Sequence, residues 1–115
     1  MIEKYRLLKE AMMNVASHET AYLTYNPEKS RLHNHCGAVA WVIKQQYGGV
    51  LLGGKIDGIS HIWNQLPDGT EIDLTSCQFG GDGYTPLTKG EKLPERTTIN
   101  PKYKLFAKKL DLSRF

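Results

Sequence analysis

One cysteine, one histidine and one aspartate in this sequence have the types and surroundings of a nucleophilic site. Cys36 opens a segment with helical periodicity, His61 lies in an alternating segment, and Asp73 lies in the segment after it. Cysteine catalysis needs a thiolate, a base that takes or holds its proton, and a third group that orients the imidazole. These three residues supply those roles, and the chemistry they predict is nucleophilic attack by a thiol.

The position of Cys36 depends on a predicted second helix. That helix has one apolar stripe at helical spacing, formed by Cys36, Val39, Ala40, Ile43 and Tyr47. We expect it to begin near Asn34 or His35, with Asn34 as N-cap, and to end at Gly48-Gly49. A helix N-terminus favours an anion such as a thiolate, and the Cys36 N–H is available as an oxyanion donor. On position alone, however, a cysteine on an apolar stripe is more often a core residue.

A hairpin signal sets the relation between His61 and Asp73. The string Leu66-Pro67-Asp68-Gly69-Thr70 predicts a three-residue loop with Gly69 in a left-handed conformation. That loop pairs Leu66 with Thr70, and counting back from this pair makes His61 and Asp73 diagonal neighbours. A two-residue loop would instead put them on opposite faces of the sheet. The side chains expected on the shared face are those of His61, Trp63, Asp73 and Thr75.

The remaining elements follow from periodicity and turn residues. Residues 2 to about 16 and 101 to about 111 predict helices, and residues 18–33 predict a long loop. Three strands are expected at about 50–56, 59–66 and 70–76. The chain from Phe79 to Pro101 is predicted to be irregular. Helices and a short antiparallel sheet in one chain indicate an α+β protein.

Composition limits the function classes. The 115 residues are 40% hydrophobic and 23% charged, which predicts one globular domain over 1–115. The net charge is +3, and the densest basic stretch, residues 102–109, is more typical of a solvated helix face than of a nucleic-acid surface. No signal peptide or membrane-spanning run is recognisable. We therefore expect a cytoplasmic protein with reduced thiols, without nucleic-acid or membrane partners.

Several strings resemble a known family. Asn34-His35-Cys36-Gly37-Ala38-Val39-Ala40 resembles the opening of papain-like helices. The segments His61-Ile62-Trp63-Asn64 and Ile72-Asp73-Leu74-Thr75 resemble the His and Asp strands of small papain-fold and transglutaminase-like proteins. The run from Asp73 to Phe79 is closer still to the bacterial YunG-like family. The likeness covers roughly residues 31–79 and extends weakly into the closing helix.

The resemblance implies a small papain-like core, with N-terminal helices packed on a short antiparallel sheet. It implies Cys36 as nucleophile, His61 as base and Asp73 as orienting group in a cysteine hydrolase or acyltransferase. Peptidase, amidase and deamidase activities are not separable, so the expected substrate is a peptide, a protein or a small amide.

The sequence departs from papain in one respect, because papain has an oxyanion-hole glutamine several residues before its cysteine. Here no glutamine precedes Cys36 in the upstream segment. Asn34, His35 or Gln78 is a candidate substitute for that glutamine. Trp63, on the His61 face, is a candidate to shield the His–Asp pair from water, although a tryptophan is more often a core residue.

Two other functions stay open. His33, His35, Cys36 and Cys77 are zinc-type ligands, but they form neither a Cys-x-x-Cys nor a His-x-x-x-His pair. The second alternative is a non-catalytic binding protein on a papain-like scaffold, because fold does not fix function. We expect no cofactor and no metal.

Overall fold

A computed structural model of the chain describes residues 2–94 and 100–115. Its regular structure in those residues consists of three α-helices, four β-strands and two short 3-10 helices. The helices are α1 (Ile2–Val15), α2 (Cys36–Tyr47) and α3 (Pro101–Lys108). The strands are β1 (Val50–Ile56), β2 (Ile59–Gln65), β3 (Glu71–Ile72) and β4 (Glu91–Lys92), and the 3-10 helices cover Ser76–Phe79 and Leu112–Arg114.

The strands form one antiparallel sheet in the order β3-β2-β1-β4, which confirms the predicted α+β class. The loop between β2 and β3 has three residues, because the Leu66 N–H donates to the Thr70 carbonyl oxygen over 2.7 Å. Its last residue, Gly69, has a φ of +90°. Asn64 pairs with Ile72 in the ladder. The predicted loop and register are therefore both confirmed.

β3 is shorter than the strand predicted over 70–76, because it ends at Ile72. The Asp73 Oδ1 accepts hydrogen bonds from the N–H and the hydroxyl of Thr75, each at 3.1 Å. This side-chain turn takes the chain out of the ladder, and the 3-10 helix Ser76–Phe79 follows. In the described residues β3 pairs with β2 at two positions only, so the first half of β2 has no strand on that side.

α2 is the central helix, packed against β2, β1 and α3. Its buried residues surround most of the helix axis and are Gly37, Ala38, Val39, Ala40, Val42 and Ile43. The predicted stripe was too narrow, because Ala38 and Val42 are buried as well. Asn34 is not the N-cap: its φ of +56° is left-handed, and His35 occupies the cap position without a side-chain capping bond. The helix accordingly begins at Cys36, slightly later than predicted.

The hydrophobic core lies between the helices and one face of the sheet. Its buried members include Tyr5, Leu8, Met12, Leu32, Val39, Val42, Ile43, Leu66, Ile72, Leu74 and Phe106. Full burial of one such aliphatic side chain contributes roughly 1.5–3 kcal/mol. The core thus holds α2 on the hairpin that carries His61.

The C-terminal part differs from the prediction in two places. β4 lies in the segment predicted to be irregular, where it pairs with β1 at Leu52 and Gly53. α3 begins as predicted, with the Asn100 side chain accepting a hydrogen bond from the Lys102 N–H over 2.9 Å. It ends at Lys108 rather than near residue 111. No helix within 2–94 and 100–115 is long and apolar enough to cross a membrane.

Candidate active site

Cys36 is the first residue of α2 and is partly accessible. The backbone N–H groups of Cys36, Gly37 and Ala38 find no acceptor among the described residues. They are the donors that a helix N-terminus leaves unpaired. A cavity of about 300 Å³ opens here, and its lining includes these three residues together with Ile62 and Tyr103. The thiol therefore has both access and hydrogen-bond donors beside it.

His61 projects from β2 into a buried aromatic environment and is 2% exposed. Its Nε2 lies 2.7 Å from Asp73 Oδ2. The indole of Trp63 stacks on the imidazole with ring centroids 5.7 Å apart, and Phe79 contacts it edge-on at 4.9 Å. The Cys36 thiol is the other side chain that raises the pKa of the ring. Since Asp73 occupies Nε2, Nδ1 is the nitrogen left for the thiol.

Asp73 is 1% exposed, and both of its oxygens have partners. Oδ1 accepts the two bonds from Thr75, which orients the carboxylate, and Oδ2 is left for His61. A buried carboxylate is stable only when it is paired and hydrogen-bonded, and both conditions hold here. The turn that ends β3 is thus the feature that aims Asp73 at the imidazole.

The pKa of His61 reflects two opposed effects. Burial of the ring alone would lower its pKa, because burial penalises the charged form. The hydrogen bonds to Asp73 and Cys36, together with the charges of both groups, outweigh burial and raise the pKa of His61 to about 9. At neutral pH the ring is therefore an imidazolium, the charge that a thiolate at Cys36 needs as its counter-ion.

Asn34 and Gln78 are close to the site but are engaged in hydrogen bonds. Gln78 Oε1 accepts from the Asn34 N–H over 2.9 Å, and its Nε2 donates to the Thr75 carbonyl oxygen over 3.3 Å. The side-chain NH₂ of Asn34 donates to the Thr24 carbonyl oxygen over 2.7 Å, and Asn34 also lines the cavity. Gln78 ties the segment before Cys36 to the turn that holds Asp73.

His35 is buried and is not among the residues that line the cavity. Its Nδ1 donates to the His33 carbonyl oxygen and its Nε2 accepts from the Thr20 hydroxyl, each over 2.7 Å. Burial lowers the pKa of His35, which keeps it neutral and suits these bonds. Within the described residues no three His, Cys, Asp or Glu side chains converge on a point where a metal ion would bind.

Three residues of the site were not predicted from the sequence: Thr75 as an orienting partner, Phe79 as a contact of the imidazole, and Tyr103. The Asp-x-Thr spacing is a turn signal that identifies Thr75 in retrospect. Tyr103 has no local signal, because it reaches the cavity only through the packing of α3 on α2.

The fold and site together define an α+β protein that places a buried histidine–aspartate pair near a cysteine at a helix N-terminus. A model of the YunG protein family matches residues 4–113 of the chain. The chain therefore belongs to the YunG protein family. No curated protein and no solved structure matches it.

Proposed function

We propose that this protein is a cysteine hydrolase or acyltransferase of papain-like or transglutaminase-like type. Cys36 is the nucleophile, His61 the general base and acid, and Asp73 the group that orients the imidazole. The observation that carries the proposal is the buried His61–Asp73 pair, 2.7 Å apart, together with an accessible Cys36 thiol whose charge contributes to the raised pKa of the imidazole.

The chemistry follows from those contacts. The Cys36 sulfur attacks a carbonyl carbon, and the carbonyl oxygen becomes an oxyanion near the free N–H groups at the start of α2. Collapse of this intermediate breaks the bond to the leaving amine, which takes its proton from the His61 imidazolium. A water molecule or a second amine then attacks the thioester carbon while His61 takes its proton, and the carbon–sulfur bond breaks to release the acyl product and the Cys36 thiolate. Asp73 stays ionised throughout and stabilises the imidazolium.

The substrate we propose is an amide in a peptide, a protein or a small molecule. The cavity of about 300 Å³ has room for a side chain or a small acyl group, and Ile62 and Ala38 give part of its wall an apolar character. We also propose a cytoplasmic location, because both cysteines are free thiols and the nucleophile requires a reducing compartment.

Differential alkylation tests the proposal. Iodoacetamide is added at pH 6 and pH 7, and the labelling rates of Cys36 and Cys77 are measured by peptide mass spectrometry. Cys77 is the internal control, since it is similarly accessible and its sulfur contacts a neutral hydroxyl, Ser30 Oγ, at 3.6 Å. We expect Cys36 to react at least about tenfold faster than Cys77 at pH 6. Only a thiolate is nucleophilic, and in the proposed site the His61 imidazolium stabilises the thiolate of Cys36.

Two results would reject the enzyme proposal. Equal or slower labelling of Cys36 would favour the non-catalytic binding protein. Stoichiometric zinc in the untagged protein, with unfolding on chelation, would favour the metal module instead.

A further inference from the structure

The hydroxyl of Tyr103 lies at the N-terminus of α2, the helix that begins with Cys36. It lies in the first turn of α3, and its ring occupies the space that a side chain at Gly37 would fill. A β-carbon on residue 37 would lie 2.6 Å from Cζ of Tyr103 and closer still to its hydroxyl oxygen. The ring is also tilted against Trp41, with centroids 6.5 Å apart. The Cys-Gly pair therefore makes room for this phenol beside the thiol.

The hydroxyl of Tyr103 is free to donate. It makes no hydrogen bond within residues 2–94 and 100–115, and it belongs to the lining of the Cys36 cavity. Burial, and next the charge of Cys36, raise the pKa of Tyr103, so the phenol keeps its proton at neutral pH. An uncommitted O–H donor thus lies close to the atom that attacks.

The oxyanion of an acyl-transfer reaction is commonly held by backbone N–H groups together with a side-chain donor. The unpaired N–H groups at the start of α2 supply the backbone donor. The side chains considered from the sequence are otherwise engaged: Gln78 holds Asn34 and Thr75, and His35 is turned inward. Tyr103 lines the cavity and its hydroxyl has no partner in the described residues, whereas Asn34 and Gln78 are each held in place by their own hydrogen bonds.

We propose that Tyr103 is a catalytic residue whose hydroxyl donates a hydrogen bond to the oxyanion formed when Cys36 attacks a carbonyl carbon. This inference rests on the proposed function and adds a side-chain donor to it. A donor of this kind acts on the tetrahedral intermediate and has no part in reactions of the thiolate that form no oxyanion.

That difference allows the two roles to be separated with two probes. With 4-nitrophenyl acetate, the Cys36 sulfur bonds to the carbonyl carbon and the oxygen becomes an oxyanion. The bond to 4-nitrophenolate then breaks, which leaves an S-acetyl cysteine. With iodoacetamide, the sulfur displaces iodide at a saturated carbon and no oxyanion forms. Only the first rate depends on a donor at the carbonyl oxygen.

The experiment uses the full chain carrying Cys77→Ser, so that Cys36 is the remaining thiol, and compares it with the same chain carrying Tyr103→Phe. Acetylation is followed by release of 4-nitrophenolate, and alkylation by mass spectrometry. We expect Tyr103→Phe to lower the acetylation rate about tenfold or more, in line with loss of one oxyanion donor. We expect the iodoacetamide rate to stay within about twofold, because phenylalanine keeps the ring that packs on Trp41.

Two controls accompany the comparison. Tyr84→Phe removes a phenol whose ring faces Lys9 in a different cavity, and it should change neither rate. Cys36→Ala in the Cys77→Ser chain gives the background acetylation by other groups, which is subtracted.

Each remaining outcome bears on one proposal. If Tyr103→Phe leaves the acetylation rate unchanged, or lowers the acetylation and alkylation rates by the same factor, the oxyanion role of Tyr103 is overturned. Slow alkylation of Cys36 in the parent chain at pH 6 would overturn the proposed function itself. The iodoacetamide rate of Tyr103→Phe also reports whether the site around Cys36 remains folded.

Discussion

Replacement of Asp73 by asparagine changes one atom and tests how the imidazole is held. The carbonyl oxygen of asparagine would take over the two bonds from Thr75, since both of those groups are donors. The amide NH₂ would then face His61 Nε2, which must accept, and the ring proton would move to Nδ1, the side of the thiol. With a proton already on Nδ1, His61 could no longer take the proton of the Cys36 thiol, while the shape of the site would stay the same.

The size of the effect follows from the pKa of His61, which is about 9 in the native protein. Asparagine removes both the charge and the ionic hydrogen bond that help to raise this pKa. A return to the ordinary value of about 6.5 would leave roughly a tenth of the molecules with an imidazolium at pH 7.5. Burial of the ring lowers the value further, so we expect Cys36 alkylation at pH 7.5 to fall about tenfold, toward the rate of a cysteine without a counter-ion.

The assay is the rate of Cys36 alkylation by iodoacetamide, with circular dichroism as the measure of folding. Asp82→Asn is the matched control, because Asp82 makes the same kind of turn bonds, to the N–H groups of Tyr84 and Thr85. Its exposed carboxylate has no histidine partner, and we expect no change in rate. A folded Asp73→Asn protein that alkylates as fast as wild type would refute the role given to this carboxylate.

Two further predictions concern stability. The raised pKa of His61 means that the folded state binds its proton more tightly than the unfolded state, so this stabilisation is complete below pH 6.5 and is lost as the pH rises to about 9. Urea unfolding should show that the free energy of unfolding falls by up to about 3 kcal/mol across that pH window in the wild type, and by less in Asp73→Asn. Equal falls in the two proteins would contradict this account. Gly69→Ala should lower the free energy of unfolding by about 1 kcal/mol in the same assay, because the φ of residue 69 is +90°. An added β-carbon would touch nothing, so backbone strain is the whole effect. No change in the unfolding midpoint would show that the loop relaxes without cost.

The hairpin was predictable because its determinants are local. Pro67, Asp68 and Gly69 each suit one backbone conformation of a three-residue loop, and the side-chain period of two then sets which residues share a face. The pairing of His61 with Asp73 follows from that count. The start of α2 was predictable to within two residues for the same reason, since helical periodicity is a short-range signal.

Other parts of the site depend on contacts that are distant in sequence. Propensity gave no sign that β3 would end at Ile72, because a side-chain turn at Asp73 competes there with the ladder. The left-handed conformation of Asn34 is held by tertiary bonds to Thr24 and Gln78. The position of Tyr103 against Gly37 requires the packing of two helices, and one sequence does not specify that packing directly.

The hydrogen bond between Gln78 and Asn34 joins residues 44 positions apart, and it has a consequence for how the chain is made. Cys36 leaves the ribosome well before the segment that ties its helix to the His61 hairpin, and α3 follows later still. Domains fold as units, so the nascent thiol remains an ordinary cysteine until most of the chain has been synthesised. Enhanced reactivity at Cys36 would then report completed folding, and a truncated chain ending before Gln78 would carry a thiol of ordinary reactivity.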